Sequence, residues 1–205
     1  MVTHIALPEL VAPAKLILDP DRPLSEKAYA GFCAANPELR LERTAQGEII
    51  IVPPPGGESS YRSLTVAAQL ERWSRRNGRG RAFDSSVQFI LPSGAFRSPD
   101  AAWVSNERLA RLTKQQRRQF LKLVPEFVVE VMSPSDRLSA AQRKMQEEWI
   151  GNGVDLGWLI DGDTETVYVY RASQPVEKKK GLRKLAGEGP VKGFALDLTA
   201  IWEGL

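Results

Sequence analysis

The run Phe127-Val128-Val129-Glu130-Val131-Met132 constrains this chain more than any other six residues. Its composition is that of a buried strand, yet a carboxylate stands inside it. Asp100 poses the same problem at the head of Pro99-Asp100-Ala101-Ala102-Trp103-Val104. A carboxylate taken out of water without a partner costs several kcal/mol, or its pKa shifts until it is neutral. Two such residues in strand-like runs predict a cation for them to face.

Strand periodicity sharpens the statement. Phe127, Val129 and Val131 share one face, and Val128, Glu130 and Met132 share the other. Position 132 therefore looks into the same space as Glu130. A cationic side chain is often wanted there to hold an attacking water, and methionine cannot do it.

The ligand chemistry is narrowed by what the chain lacks. Cys33 and His4 are its only cysteine and histidine, which excludes zinc sites of the usual kinds. A metal here would be oxygen-bound, hence Mg²⁺, Mn²⁺ or Ca²⁺. One cysteine allows no internal disulfide, so a cytoplasmic location is expected. No apolar run approaches the length that crosses a bilayer, and the N-terminus lacks a secretory pattern. No membrane association is expected. P-loop, dinucleotide-fingerprint and serine-elbow motifs are absent, and a lone histidine near the N-terminus disfavours a triad.

Net charge is only +3, but the cations are clustered. Arg72, Arg75, Arg76, Arg79 and Arg81 form one group, and Arg108, Arg111, Lys114, Arg117, Arg118 and Lys122 a second. Lys178, Lys179, Lys180, Arg183 and Lys184 form a third. Each alone reads as a solvated helix end, helix face or hairpin tip. Three around one acidic site point to a polyanion.

The 205 residues suit one domain, expected over 24–205, behind an N-terminal arm over 1–23. Ser25 is placed to cap a helix to about Asn36, followed by a hairpin over 39–52 that turns at Gln46-Gly47. A helix is expected from Glu58 to Arg76, with Tyr61, Leu64 and Ala68 on its buried face and Val66, Leu70 and Trp73 widening it. Strands follow over 82–91 and 99–104, then a helical, basic excursion over 106–122. After the Glu130 strand, Ser133-Pro134-Ser135-Asp136 fits a capping box opening a helix to Asn152. Leu138, Ala141, Met145 and Trp149 form its buried stripe. Strands over 156–160 and 166–170 turn through Asp161-Gly162-Asp163, and the tail packs on the body. This order gives a mixed α/β (α+β) domain.

Two further residues stay open on spacing alone. Lys144 lies at the edge of the Leu138–Trp149 stripe, so its ammonium reaches either a neighbouring cleft or solvent. Glu58 opens a helix, where an acidic residue offsets the helix dipole; a third oxygen ligand is the functional alternative.

Pro99-Asp100, then Glu130-Val131-Met132, then Lys144 resembles the PD-(D/E)xK nuclease signature with its lysine moved to the next helix. A wider string is more specific. It comprises Gly56-Gly57-Glu58, Phe83-Asp84-Ser85-Ser86, Arg97-Ser98-Pro99-Asp100, Glu130 with Ser133-Pro134-Ser135-Asp136, Lys144-Met145-Gln146-Glu147, and Asn152-Gly153-Val154 leading to Gly157-Trp158-Leu159-Ile160-Asp161. Over about 24–203 this resembles the Uma-two family of restriction-endonuclease-like proteins. The resemblance implies a restriction-endonuclease-like core, a mixed central sheet flanked by helices. It raises Glu58 to a metal-site acid and Lys144 to the catalytic lysine. The implied function is a metal-dependent endonuclease acting on DNA ahead of RNA. Asp100, Glu130, Glu58 and the Val131 carbonyl would hold Mg²⁺ or Mn²⁺, and a homodimer is the expected assembly. The alternatives are an inactive nucleic-acid-binding protein, suggested by Met132, and an interaction scaffold in which arginines such as Arg97 pair with the acids.

Overall fold

The computed structural model describes residues 14–16, as backbone, and 24–205. The rest of the arm expected over 1–23, with His4, lies outside the described residues. The described residues begin with β1 (Ala14–Leu16), α1 (Glu26–Ala35), β2 (Arg40–Arg43) and β3 (Ile49–Val52). It continues through α2 (Gly57–Asn77), β4 (Gly80–Asp84), β5 (Phe89–Ile90) and β6 (Phe96–Arg97). Next come β7 (Ala101–Ser105), α3 (Asn106–Ala110), β8 (Phe127–Val131) and α4 (Leu138–Arg143). The last elements are β9 (Leu156–Asp161), β10 (Thr166–Arg171), β11 (Glu177–Lys180), β12 (Lys184–Ala186), β13 (Ala195–Asp197) and α5 (Thr199–Glu203). The chain divides into two compact units, Met1–Pro54 with Ile90–Arg97, and Pro55–Phe89 with Ser98–Leu205.

In the smaller unit, Ser25 caps α1 as its position suggests, its Oγ accepting the Ala28 N–H at 3.2 Å. The one fully buried side chain of α1, Tyr29, packs on Phe96 with ring centroids 4.5 Å apart. β2 and β3 form the expected hairpin, with Arg43 opposite Ile49. Their sheet runs β1-β3-β2-β6-β5. Arg97 and Glu42 make an ion pair of 2.9 Å in its interior.

The larger unit is built on a six-stranded sheet in the order β11-β10-β9-β8-β7-β4. β8 and β9 are parallel, and every other neighbouring pair is antiparallel. Alternation sorts the side chains. Trp103, Phe127, Val129, Trp158 and Val169 join Val66 and Leu70 of α2 in one core, closed by Phe194, Leu196 and Ile201 from the tail. The opposite face carries Val128, Glu130 and Gly157, and the helical segment after β8 lies over it. Gly157 makes that approach possible, because a Cβ there would fall 2.4 Å from the Met145 methyl.

Four local expectations are corrected. The buried face of α2 is Ser59, Arg62, Val66, Leu70 and Ser74, while Leu64 is 66% exposed. The stripe containing a buried arginine wins because Arg62 has partners for its charge. The expected strand over 82–91 breaks after β4, where Asp84 accepts both the N–H and the hydroxyl of Ser86. The excursion over 106–122 is not one helix: α3 is five residues long, and a 3₁₀ turn over Gln116–Arg118 follows. Ser133 does not cap α4. Its N–H donates to Asp136 Oδ2 at 2.8 Å in a turn that precedes the helix, which starts at Leu138. No described helix is long and apolar enough to cross a membrane.

Candidate active site

The register of β7 and β8 sets the two acids side by side. Ala101, the first residue of β7, pairs with Val129, and the same register carried one step further puts Asp100 across from Glu130. The backbone adds to the arrangement. The Met132 N–H donates to the Ile160 carbonyl on the β9 side. Alternation then turns the Val131 N–H and C=O toward the β7 side. There the Val131 N–H donates to Asp100 Oδ2 at 2.8 Å. The edge between the two strands thus gathers two carboxylates and one carbonyl, all hard oxygen donors of the kind that suits Mg²⁺, Mn²⁺ or Ca²⁺.

Lys144 reaches this edge. Its ammonium lies 2.8 Å from Glu130 Oε1, with the two side chains 28% and 14% exposed. The fully buried Trp149 donates its indole N–H to the same oxygen at 2.7 Å. Residues five apart on an α-helix point about 140° apart and cannot meet one atom. Here the segment Lys144–Trp149 is a π-turn. Hydrogen bonds from i to i+5 stack residues five apart, so Lys144 and Trp149 come onto one face. Met132, 9% exposed, sits beyond Glu130 as the strand period requires.

Glu58 lies in the first turn of α2 and has a separate set of partners. Its Oε1 is 2.7 Å from Arg62, one helical turn on. Arg62 is 3% exposed and also bonds Asp163 at 2.8 Å and the Ile201 carbonyl at 3.0 Å. Gly162 leaves room for that guanidinium, since a Cβ would sit 2.5 Å from its central carbon. Among the described residues no three Asp, Glu, His or Cys side chains cluster as a metal-holding group. The local unit is a carboxylate pair with a cation.

Residues 27–199 match the model of the Uma2 family, whose description reads "Putative restriction endonuclease". The chain belongs to the Uma2 family. A crystal structure described as "a putative nuclease belonging to DUF820", from Anabaena variabilis, superposes with a TM-score of 0.67 at 21% identity. The match covers 81% of this chain and 91% of that one. At that identity the likeness speaks for the fold, a mixed central sheet flanked by helices. No curated protein matches the chain.

The cationic clusters are less free than their sequence suggests. Arg108 bonds Glu126 and Asp155, each at 3.1 Å, and so anchors the excursion after α3. Arg75 pairs with Glu71, Arg111 with Glu107, and Lys179 with Glu177. Lys178 stands over the Tyr168 ring at 5.7 Å. Arg97, named above as a partner for the acids, pairs with Glu42. Trp149 was legible only as core. The signal for its polar contact was its indole N–H, which needs an acceptor once buried.

Proposed function

We propose that the chain is a divalent-metal-dependent phosphodiesterase acting on nucleic acid, DNA ahead of RNA. The observation that carries this reading is Asp100 held on the Val131 N–H, next in sequence to Glu130, with the Lys144 ammonium on Glu130. Asp100, Glu130 and the Val131 carbonyl would hold Mg²⁺ or Mn²⁺, and Glu58 would join through water. Such an ion supplies Lewis acidity for water activation and offsets charge on phosphoryl oxygens. Lys144 has two tasks in the chain's own chemistry. It holds the Glu130 carboxylate in place, and its partly exposed ammonium would face an incoming phosphate. Trp149 fixes the Glu130 rotamer from below and excludes water from that side.

The test is cleavage of plasmid and oligonucleotide DNA, with RNA in parallel, in Mg²⁺ or Mn²⁺. Asp100→Asn and Glu130→Gln keep hydrogen-bonding groups in place, and Gln still accepts from Trp149. Each should lower cleavage by about a thousandfold, the scale of several kcal/mol in the barrier, with melting curves near wild type. Cleavage retained in either purified variant contradicts the assignment. Binding of DNA that survives EDTA, with no turnover by wild type, selects the second reading suggested by Met132: a binding protein on a nuclease fold.

A further inference from the structure

A pocket of about 700 Å³ opens beside β4 at the edge of the larger sheet. Its position follows from the two breaks described above. After β4 the chain turns at Ser86, and the excursion returns to meet it at Leu121. There the Leu121 N–H donates to the Gln88 carbonyl at 2.9 Å, and Phe89 bridges Leu121 in parallel. The space left between carries Arg81 and Phe83 from one side and Arg117, Arg118, Gln119 and Phe120 from the other.

The lining has a definite chemistry. It includes three guanidinium groups and no Asp or Glu among the described residues. Arg117 bonds only a backbone carbonyl, that of Leu112 at 3.1 Å. Arg118 and Gln119 are exposed, and neither side chain has a partner within the described residues. No carboxylate of the lining offsets this positive charge, and the space suits an anion. The Phe83 and Phe120 rings are only half-buried, so aromatic surface is presented to the same space. A bare phosphate track needs cations alone. Cations, aromatic rings and an unengaged amide together match a nucleotide: phosphate on the arginines, a base on a ring, a base edge on the amide.

The pocket also stands at the right place. Phe83 is opposite Ala102 and Arg81 opposite Val104. Phe83 is thus two residues and one strand away from Asp100, roughly 8 Å between backbone positions from strand rise and spacing. A strand whose phosphate reaches the acid pair can place a neighbouring nucleotide there.

We propose that this pocket takes an unpaired nucleobase of the substrate strand, stacked on Phe83 and Phe120 with its phosphate on Arg117 and Arg118. The proposal rests on the nucleic-acid reading of the acid pair and adds a requirement, a base outside the duplex stack. That base can come from a single strand or be flipped from a duplex.

The experiment uses the full chain in EDTA, so that binding is read without turnover. Oligonucleotides carry 2-aminopurine in a single strand or at the centre of a duplex. Wild type should bind the single strand and change the probe's fluorescence; the same change in the duplex identifies base flipping as the source. Phe120→Ala should weaken binding about tenfold, the scale of one lost stacking contact, and remove the fluorescence change. Arg118→Glu, at an exposed position without an ion pair, should weaken it at least as much and guards against misfolding of the first variant. No fluorescence change with wild type, or both variants binding like wild type, overturns the pocket. Cleavage by wild type without the fluorescence change overturns the pocket and leaves the acid pair standing. The fluorescence change in a chain that cleaves nothing overturns the acid-pair reading and leaves the pocket.

Discussion

Glu42–Arg97 and Glu130–Lys144 are ion pairs of nearly equal length, 2.9 and 2.8 Å. Their surroundings differ. The first pair is sealed, with side chains 7% and 2% exposed, and the second is open, with 14% and 28%. A sealed pair has already exchanged its hydration for fixed contacts inside the protein and is closed to a ligand. An open pair between a cation and a carboxylate, with a second carboxylate opposite, still has room for exchange. Distance alone does not separate structural from functional charge; access does.

Substitutions at four positions probe that contrast. The largest effect is expected from Arg97→Ala, which leaves Glu42 buried without its guanidinium. It should cost about 3–5 kcal/mol, or roughly 10 °C in thermal melting for a chain of this size. Cleavage by the fraction that stays folded should be unchanged. Lys144→Met should behave in the opposite way. Cleavage should fall about a hundredfold, with a melting shift of no more than about 2 °C, and Lys144→Arg should recover part of the activity. If Lys144→Met instead melts as early as Arg97→Ala, the open pair is structural too.

Trp149→Phe is intermediate. It removes one hydrogen bond to Glu130 Oε1 and should lower both stability and activity modestly, by about 1 kcal/mol in melting and several-fold in rate. The smallest effect belongs to an exposed carboxylate. The backbone N–H of Thr199, first, and its hydroxyl hold the Asp197 carboxyl below its ordinary value. A depressed pKa contributes stability that is present above the ordinary Asp range and fades as pH falls through the lower, folded value. Asp197→Asn removes that contribution: melting should fall slightly near neutrality, where wild type has it in full, and the two proteins should converge as pH falls.

Much of this contrast was legible in the sequence where period 2 governs. The face of Glu130 and its company with Met132 followed from alternation, whereas the pairing of β7 with β8 did not and is given by the structure alone. The buried stripe of Met145 and Trp149 followed from helical spacing. What lay outside reach depended on departures from regular geometry or on distant partners. An α-helical wheel cannot bring Lys144 and Trp149 to one oxygen; the π-turn does. The inward face of α2 was legible at Val66 and Leu70 but not at Arg62, because a pattern of apolar residues cannot show that Arg62 finds Glu58, Asp163 and a carbonyl. Arg97 and Glu42 are 55 positions apart in sequence, and nothing local announces their pairing. The pocket beside β4 exists because two expected elements are broken, at Ser86 and after α3, and each break was invisible to periodicity.

The most direct measurement of the central claim is calorimetric titration of Mg²⁺, with Mn²⁺ as a spectroscopic substitute, into wild type and Asp100→Asn. The account predicts one saturable site in wild type that is lost in the variant, with the fold of both unchanged by circular dichroism. Absence of binding by wild type, or equal binding by the two proteins, would contradict it.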